Sequence, residues 1–171
     1  ETGAVNVIKI IRKNGKILLK GYNTDIYGFE NSLMPLLIGR EGCKAIILGT
    51  GGASKAVSYV FRKLNIDHVF LSRFSSGNKI IRYEWQTRQL IKDVKIIVNT
   101  TPVGMYPNVD DKPPLLYDCI DSGHLLYDLI YNPSETLFLR EGKVRGAIVK
   151  NGEEMLRLQA EKSWLIWNEN D

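Results

Sequence analysis

Apolar and polar residues change their rhythm twice along this chain. Between residues 4 and 21, two short apolar runs, "AVNVIKIIR" and "KILLKG", flank the tripeptide "KNG". Asn-Gly favours the positive dihedrals of a tight hairpin turn, so this stretch predicts two paired strands. In "NTDIYGFENSLMPLL", Ile26, Phe29, Leu33 and Leu37 recur at helical spacing. Thr24 is the candidate N-cap of that helix, and Pro35 bends it near its end. "GREGC" reads as a loop.

From residue 44 the grammar changes. "KAIILG" is a continuous apolar run of the kind buried on both faces of a parallel sheet. The run "SKAVSYVFRKLNI" predicts a helix with Ala56, Val60 and Leu64 on one face, and "DHVFLSR" a second strand. "YEWQTRQLI" predicts one helix, "KIIVNTT" and "HLLYDLIY" two more strands, and "SETLFLREG" a short helix. "KVRGAIV" then predicts a fifth strand, and "NGEEMLRLQAEKSWLIWNEN" a long closing helix. Strands alternating with helices imply right-handed crossovers, hence an α/β fold: a doubly wound parallel sheet with helices on both faces. The leading hairpin stands outside the alternation and reads as the remnant of another sheet.

Composition narrows the classes. The 171 residues are 44% hydrophobic and 25% charged, ordinary values for a globular domain. No apolar window has the roughly 18 uninterrupted residues of a membrane span. Lys9, Arg12 and Lys13 break the first apolar stretch, unlike a signal peptide. Lys and Arg number 23 against 19 acidic residues, for a net charge of +4. They are scattered rather than striped, which argues against a nucleic-acid partner. Cys43 and Cys119 lie far apart and outside metal spacing, as expected of free thiols in the cytoplasm. His68 and His124 sit beside apolar runs with no ligand partner at helical spacing, so they read as structural and no metal is expected. The chain opens "ETGAVNVIKI", without Met and with apolar residues at once, which reads as the continuation of a longer protein.

The candidate chemistry lies at "LGTGGASKAV". Strand, then Gly49-x-Gly51-Gly52-x-Ser54 with Ala53 between, then helix is the setting of a dinucleotide fingerprint and of a Rossmann-type sheet. Gly49 allows the tight turn, Gly51 lets a pyrophosphate approach the main chain, and small Ser54 sits where helix meets strand. The helix start then offers backbone N–H groups and its positive dipole end. An NAD site carries a carboxylate at the end of the second strand; here Ser72 and Arg73 stand there, with Lys79 shortly after. A guanidinium suits a 2′-phosphate, so NADP is the expected cofactor. Asn99, Thr100 and Thr101 close the third strand at the ligand-binding edge. On the last helix Gly152, Met155, Gln159 and Ser163 share one face.

Five further stretches stand in one order around this loop: "GAVN", "GYNTDIYGF", "NTTPVGM", "DLIYNPSETLFL" and "NGEEMLRLQAEKSWLIW". Together they resemble the shikimate dehydrogenase family, from residue 3 to residue 167. The resemblance implies NADPH-dependent, reversible reduction of 3-dehydroshikimate to shikimate, a step toward chorismate and the aromatic amino acids. It implies a substrate domain followed by a cofactor domain, with the active site in the cleft between. It also implies that the shared face of the last helix looks into that cleft, with Gly152 and Met155 near the nicotinamide. On that basis residues 1–22 are a remnant of the substrate domain, 23–150 the cofactor domain, and 151–171 a helix lining the cleft. The family's acid–base pair is a Lys and an Asp. Asp25 matches the Asp, and no residue here matches the Lys. Asp25 is expected in the first turn of its helix, where the dipole favours the charged form.

Asn6, Tyr131 and Gln159 match family residues that bind the hydroxylated substrate. Three positions depart from the family: Ser72 replaces an Asn, Val7 a Thr, and Leu129 a Met near the nicotinamide. Quinate-oxidising relatives share most of these motifs, so a broader substrate range or NAD use stays open, as does a nucleotide-binding module without catalysis. The chain alone is expected to bind NADPH weakly and not to turn over, and its hairpin to expose apolar edge. The missing partner is the substrate domain, and a homodimer is left open.

Overall fold

The structure is a computed structural model and describes residues 3–74, 77 and 79–169. Strands β1 (Val7–Lys13) and β2 (Lys16–Tyr22) form an antiparallel hairpin closed by the pair Lys13–Lys16. Asn14 and Gly15 between them take φ of 52° and 72°, the turn foreseen from Asn-Gly. Val7 and Lys9 are buried, whereas Ile8, Ile10, Ile17 and Leu19 are exposed. Helix α1 (Asp25–Leu33) follows and passes into one tighter turn, Met34–Leu36, at Pro35.

The rest is a six-stranded parallel sheet. Strand β3 (Lys44–Leu48) leads through helix α2 (Gly52–Lys63) to β4 (Asp67–Ser72) and β5 (Ile80–Arg82). Helix α3 (Arg88–Asp93) precedes β6 (Ile96–Asn99), and β7 (Leu125–Asp128) precedes helix α4 (Leu137–Lys143). Strand β8 (Ile148–Lys150) and helix α5 (Glu153–Asn168) end the chain. The order across the sheet is β5-β4-β3-β6-β7-β8. It reverses between β3 and β6, which is where a doubly wound sheet opens a crevice for a ligand.

Strand β3 shows why its sequence is apolar without alternation. Ile46 and Leu48 join one core with Ile91 of α3 and Phe138 of α4. Ala45 and Ile47 join the other, with Phe29 of α1, Val57 and Phe61 of α2, and Met155 of α5. Helices therefore cover both faces, and every β3 residue after Lys44 is buried.

Four local expectations are corrected. The stretch 83–91 is not one helix: Gln86 is extended, its side chain tied to Pro114 and Leu116, and Thr87 starts α3 by accepting from Leu90 N–H at 3.1 Å. Edge strand β5 was not foreseen, being too short to show a period. The last strand begins only at Ile148, because α4 runs to Lys143 and Gly146 turns the chain with φ of 82°. Thr24 occupies the N-cap position of α1 but does not cap it; its hydroxyl lies 3.1 Å from Ser163.

Candidate active site

The glycine loop is built by two different constraints. Gly49 has φ of 94°, and a Cβ there would stand 2.8 Å from the Thr101 methyl. Both the dihedral and the space require glycine. A Cβ on Gly51 or Gly52 would instead enter open space, so their lack of side chains leaves room in front of α2. No side chain caps the first turn of α2. The buried Ser54 hydroxyl turns away to donate to the Gly51 carbonyl at 2.6 Å. The N–H groups of that turn face the room the glycines leave, a cradle that fits a pyrophosphate.

Two adjoining recesses cross the carboxyl ends of the strands. One, about 510 Å³, is lined by Gly49, Gly51, Ser72, Arg73, Tyr83 and Lys112, among others. The other, about 370 Å³, is lined by Ala53, Met105, Leu129, Tyr131 and neighbours. Thr100, Thr101 and Pro102 form the wall they share. In the larger recess the Arg73 guanidinium lies 5.1 Å from the Phe74 ring centre. Lys79 does not join it: with φ of 64°, it pairs with Asp67 at 2.8 Å, at the start of β4. Lys112 is held by Glu141 and lies over the Tyr117 ring.

Buried hydrogen bonds set the shared wall. Asn99 is fully buried and does not present its side chain to the recess. Its amide donates to Asp128 at 3.0 Å, and its oxygen accepts from the Thr101 N–H and hydroxyl at 3.0 and 2.7 Å. Thr100 donates to the Leu48 carbonyl at 2.6 Å, closing the loop onto β3. Asp128 is the residue that sequence reasoning missed. It also accepts from the Thr136 hydroxyl at 2.6 Å and the Ile130 N–H at 3.1 Å. Despite these donors, burial pushes its carboxyl up to about 6. Its signal was a lone carboxylate inside the apolar "HLLYDLIY". Gly152 donates its N–H to Ile130 and packs against Leu129. Met155 is 5% exposed and packs in the core beside Gly28.

The substrate-side candidates meet where the hairpin, α1 and α5 cross. Asp25 opens α1, and the Asn6 amide donates to it at 2.9 Å. Burial raises the Asp25 carboxyl above its ordinary value, and the bond from Asn6 partly opposes that. Desolvation therefore outweighs the charge-favouring pull expected of the helix start. Gln159 on α5 lies against Gly28 of α1, where a Cβ would stand 3.3 Å from the Gln159 Cβ. Ser163 donates to the Gln159 carbonyl at 2.6 Å and touches the Thr24 hydroxyl. Tyr131 stands apart from these three, half exposed in the smaller recess.

Known proteins resemble this chain in sequence and fold. A curated NADP(+) shikimate dehydrogenase of Clostridium beijerinckii is 44% identical over 173 residues, covering 98% of this chain. By sequence and by fold, the chain belongs with the shikimate dehydrogenases. The crystal structure of the family member from Aquifex aeolicus matches with a TM-score of 0.83 at 34% identity, over 98% of this chain and 62% of that one. The Thermus thermophilus enzyme, solved with NADP(H) and shikimate, matches with a TM-score of 0.76 at 27% identity, over 98% of this chain and 63% of that one. No protein-family model matches the chain. It spans about 62% of the length of the curated relatives it matches. Among the described residues no helix is long and apolar enough to cross a membrane.

Proposed function

We propose that this chain supplies the NADP cleft and one wall of the substrate site of a shikimate dehydrogenase, which reversibly reduces 3-dehydroshikimate to shikimate on the way to chorismate and the aromatic amino acids. The observation that carries this is the presence of two features on one fold: the glycine-loop cleft lined by Arg73, and the Asn6–Asp25 pair at the start of α1, the helix against which Gln159 packs. A generic nucleotide domain has no reason to carry the second feature.

When bound, NADPH supplies the hydride. Gly51, Gly52 and the start of α2 would receive its pyrophosphate, Arg73 its 2′-phosphate, and Ala53, Leu129 and Tyr131 would bound the nicotinamide end. Asn6, Gln159 and Tyr131 offer neutral hydrogen-bonding groups to a polyhydroxylated ring, and unpaired groups would penalise a wrong substrate. Asp25 holds and orients the lysine ammonium that protonates the forming alkoxide. No residue of this chain stands in for that lysine, so the chain by itself binds nucleotide without turnover. The hairpin forms a sheet of its own, which supports residues 1–22 as part of the substrate domain, apart from the cofactor domain of 23–150; residues 151–171 are read as the helix lining the cleft. Two free thiols fit a cytoplasmic site.

Fluorescence titration tests the reading: NADPH should bind more tightly than NADH, with no shikimate oxidation by this chain alone. Equal affinity for both nucleotides would refute the cofactor assignment. A dehydrogenase also accepting NAD or quinate is the second reading. It is favoured by Ser72 and by the turning of Lys79 toward Asp67, which both remove contacts from a 2′-phosphate.

A further inference from the structure

We propose that Asn6 is a positioning residue for Asp25, clamping the hairpin to the start of α1 with its NH2 group held against the Asp25 carboxylate. Donor logic sets the orientation of the amide. The Thr24 N–H can only donate, so the Asn6 atom 2.9 Å from it is the carbonyl oxygen. The NH2 group therefore faces Asp25, 2.9 Å away.

The Thr24 hydroxyl does not compete for that oxygen. Ser163 spends its single proton on the Gln159 carbonyl at 2.6 Å, so it accepts from Thr24 at 3.1 Å. The 3.4 Å contact from Thr24 to Asn6 is then left without a proton of its own. Asn23 completes the clamp from the other side, donating to the Ala4 carbonyl at 3.0 Å. Two asparagines thus bind hairpin and helix reciprocally, and only Asn6 points its donor at a carboxylate.

The consequence is electrostatic. Burial disfavours the Asp25 anion, and the Asn6 donor stabilises it. Charges on the elements packed here are engaged elsewhere: Lys9 donates to the Glu169 carbonyl, Glu30 pairs with Lys63, and Lys162 lies over the Tyr27 ring. Among the described residues none of them shifts Asp25. How much charge Asp25 carries near its midpoint is accordingly set by burial, opposed by one neutral donor from the hairpin. That this matters for proton transfer rests on the proposed role of Asp25; the coupling itself does not.

The test is a carbon-13 NMR titration of the Asp25 carboxyl in this chain, with Asp25→Asn as the assignment control. Asn6→Ala removes the donor and should raise the midpoint. Asn6→Asp keeps an acceptor for the Thr24 N–H but sets a second carboxylate against Asp25. It should raise the higher of the two coupled steps further, by about tenfold or more in proton affinity. A midpoint unchanged in the folded Asn6→Asp variant overturns the proposal, as does an unchanged midpoint in Asn6→Ala. Failure of the wild-type chain to bind NADPH would sink the dehydrogenase reading and leave the titration result standing.

Discussion

Gly152 lies directly under the main chain of Leu129: a Cβ on the glycine would stand 2.0 Å from the Leu129 carbonyl oxygen. The start of α5 and the wall of the smaller recess are therefore in backbone contact, with no flexible side chain to yield. Gly152→Ala should destabilise the fold by about 3 kcal/mol or more, the upper range for an atom forced into a packed site. It should also weaken NADPH binding, because Leu129 must move. Urea denaturation and nucleotide titration check both; a normal denaturation midpoint would refute the contact.

Gly51→Ala should behave in the opposite way. Its backbone is extended with φ of −79°, and its Cβ would meet nothing within 4 Å. Stability should stay within about 0.5 kcal/mol, as for substitutions away from packed features. NADPH affinity should fall at least tenfold if the vacant space is where the pyrophosphate sits. An alanine variant that binds normally would remove the pyrophosphate from this loop.

Arg73→Ala separates phosphate recognition from general affinity. Losing a charge-assisted bond of about 1.5–3 kcal/mol should cost NADPH roughly 10- to 100-fold. NADH, without the 2′-phosphate, should change little. Parallel losses for both nucleotides would assign Arg73 to the adenine instead.

Asp128 makes stability depend on pH in an uncommon direction for a carboxylate. Its folded value is about 6, against about 3.9 in an unfolded chain. The folded protein therefore keeps this proton where the unfolded chain has released it. The contribution to stability is full below about pH 4, decays as pH rises to about 6, and is level above that. The span corresponds to roughly 2–3 kcal/mol. Asp128→Asn should abolish this slope, so the gap between wild-type and variant urea midpoints should vary from about pH 4 to 6 and stay constant above about pH 7. Parallel curves throughout would place Asp128 in an ordinary environment.

The hairpin exposes Ile8, Ile10, Ile17 and Leu19. Free strand edges beside exposed apolar residues promote association. The isolated chain should self-associate in sedimentation, and the double change Ile10→Lys with Leu19→Lys should suppress it. Equal behaviour of the two proteins would clear the hairpin.

Local physics wrote some of this structure openly. Asn14-Gly15 made the hairpin turn readable because two positive dihedrals in succession tolerate few other residues. The β3 run and the glycines after it were readable because burial on both faces and close approach to a turn each restrict residue type. The order of motifs around that loop carried the family. Residues 83–91 were misread because the capping by Thr87 and the ties of Gln86 to a loop 28 residues away override helical spacing.

By itself, then, the sequence determined the alternation of strands and helices and the dinucleotide loop, and it put forward most of the side chains of the candidate chemistry. Each of those depends on residue type at short range. Only the tertiary structure decided how these side chains are used. Asn99 and Met155 turned inward, Lys79 went to Asp67, and Asp128 emerged as the hub of the cleft wall. The orientation of Asn6 toward Asp25 was likewise invisible in the chain. A hydrogen-bond partner 19 residues away is selected by how hairpin and helix pack, and no local pattern encodes that packing.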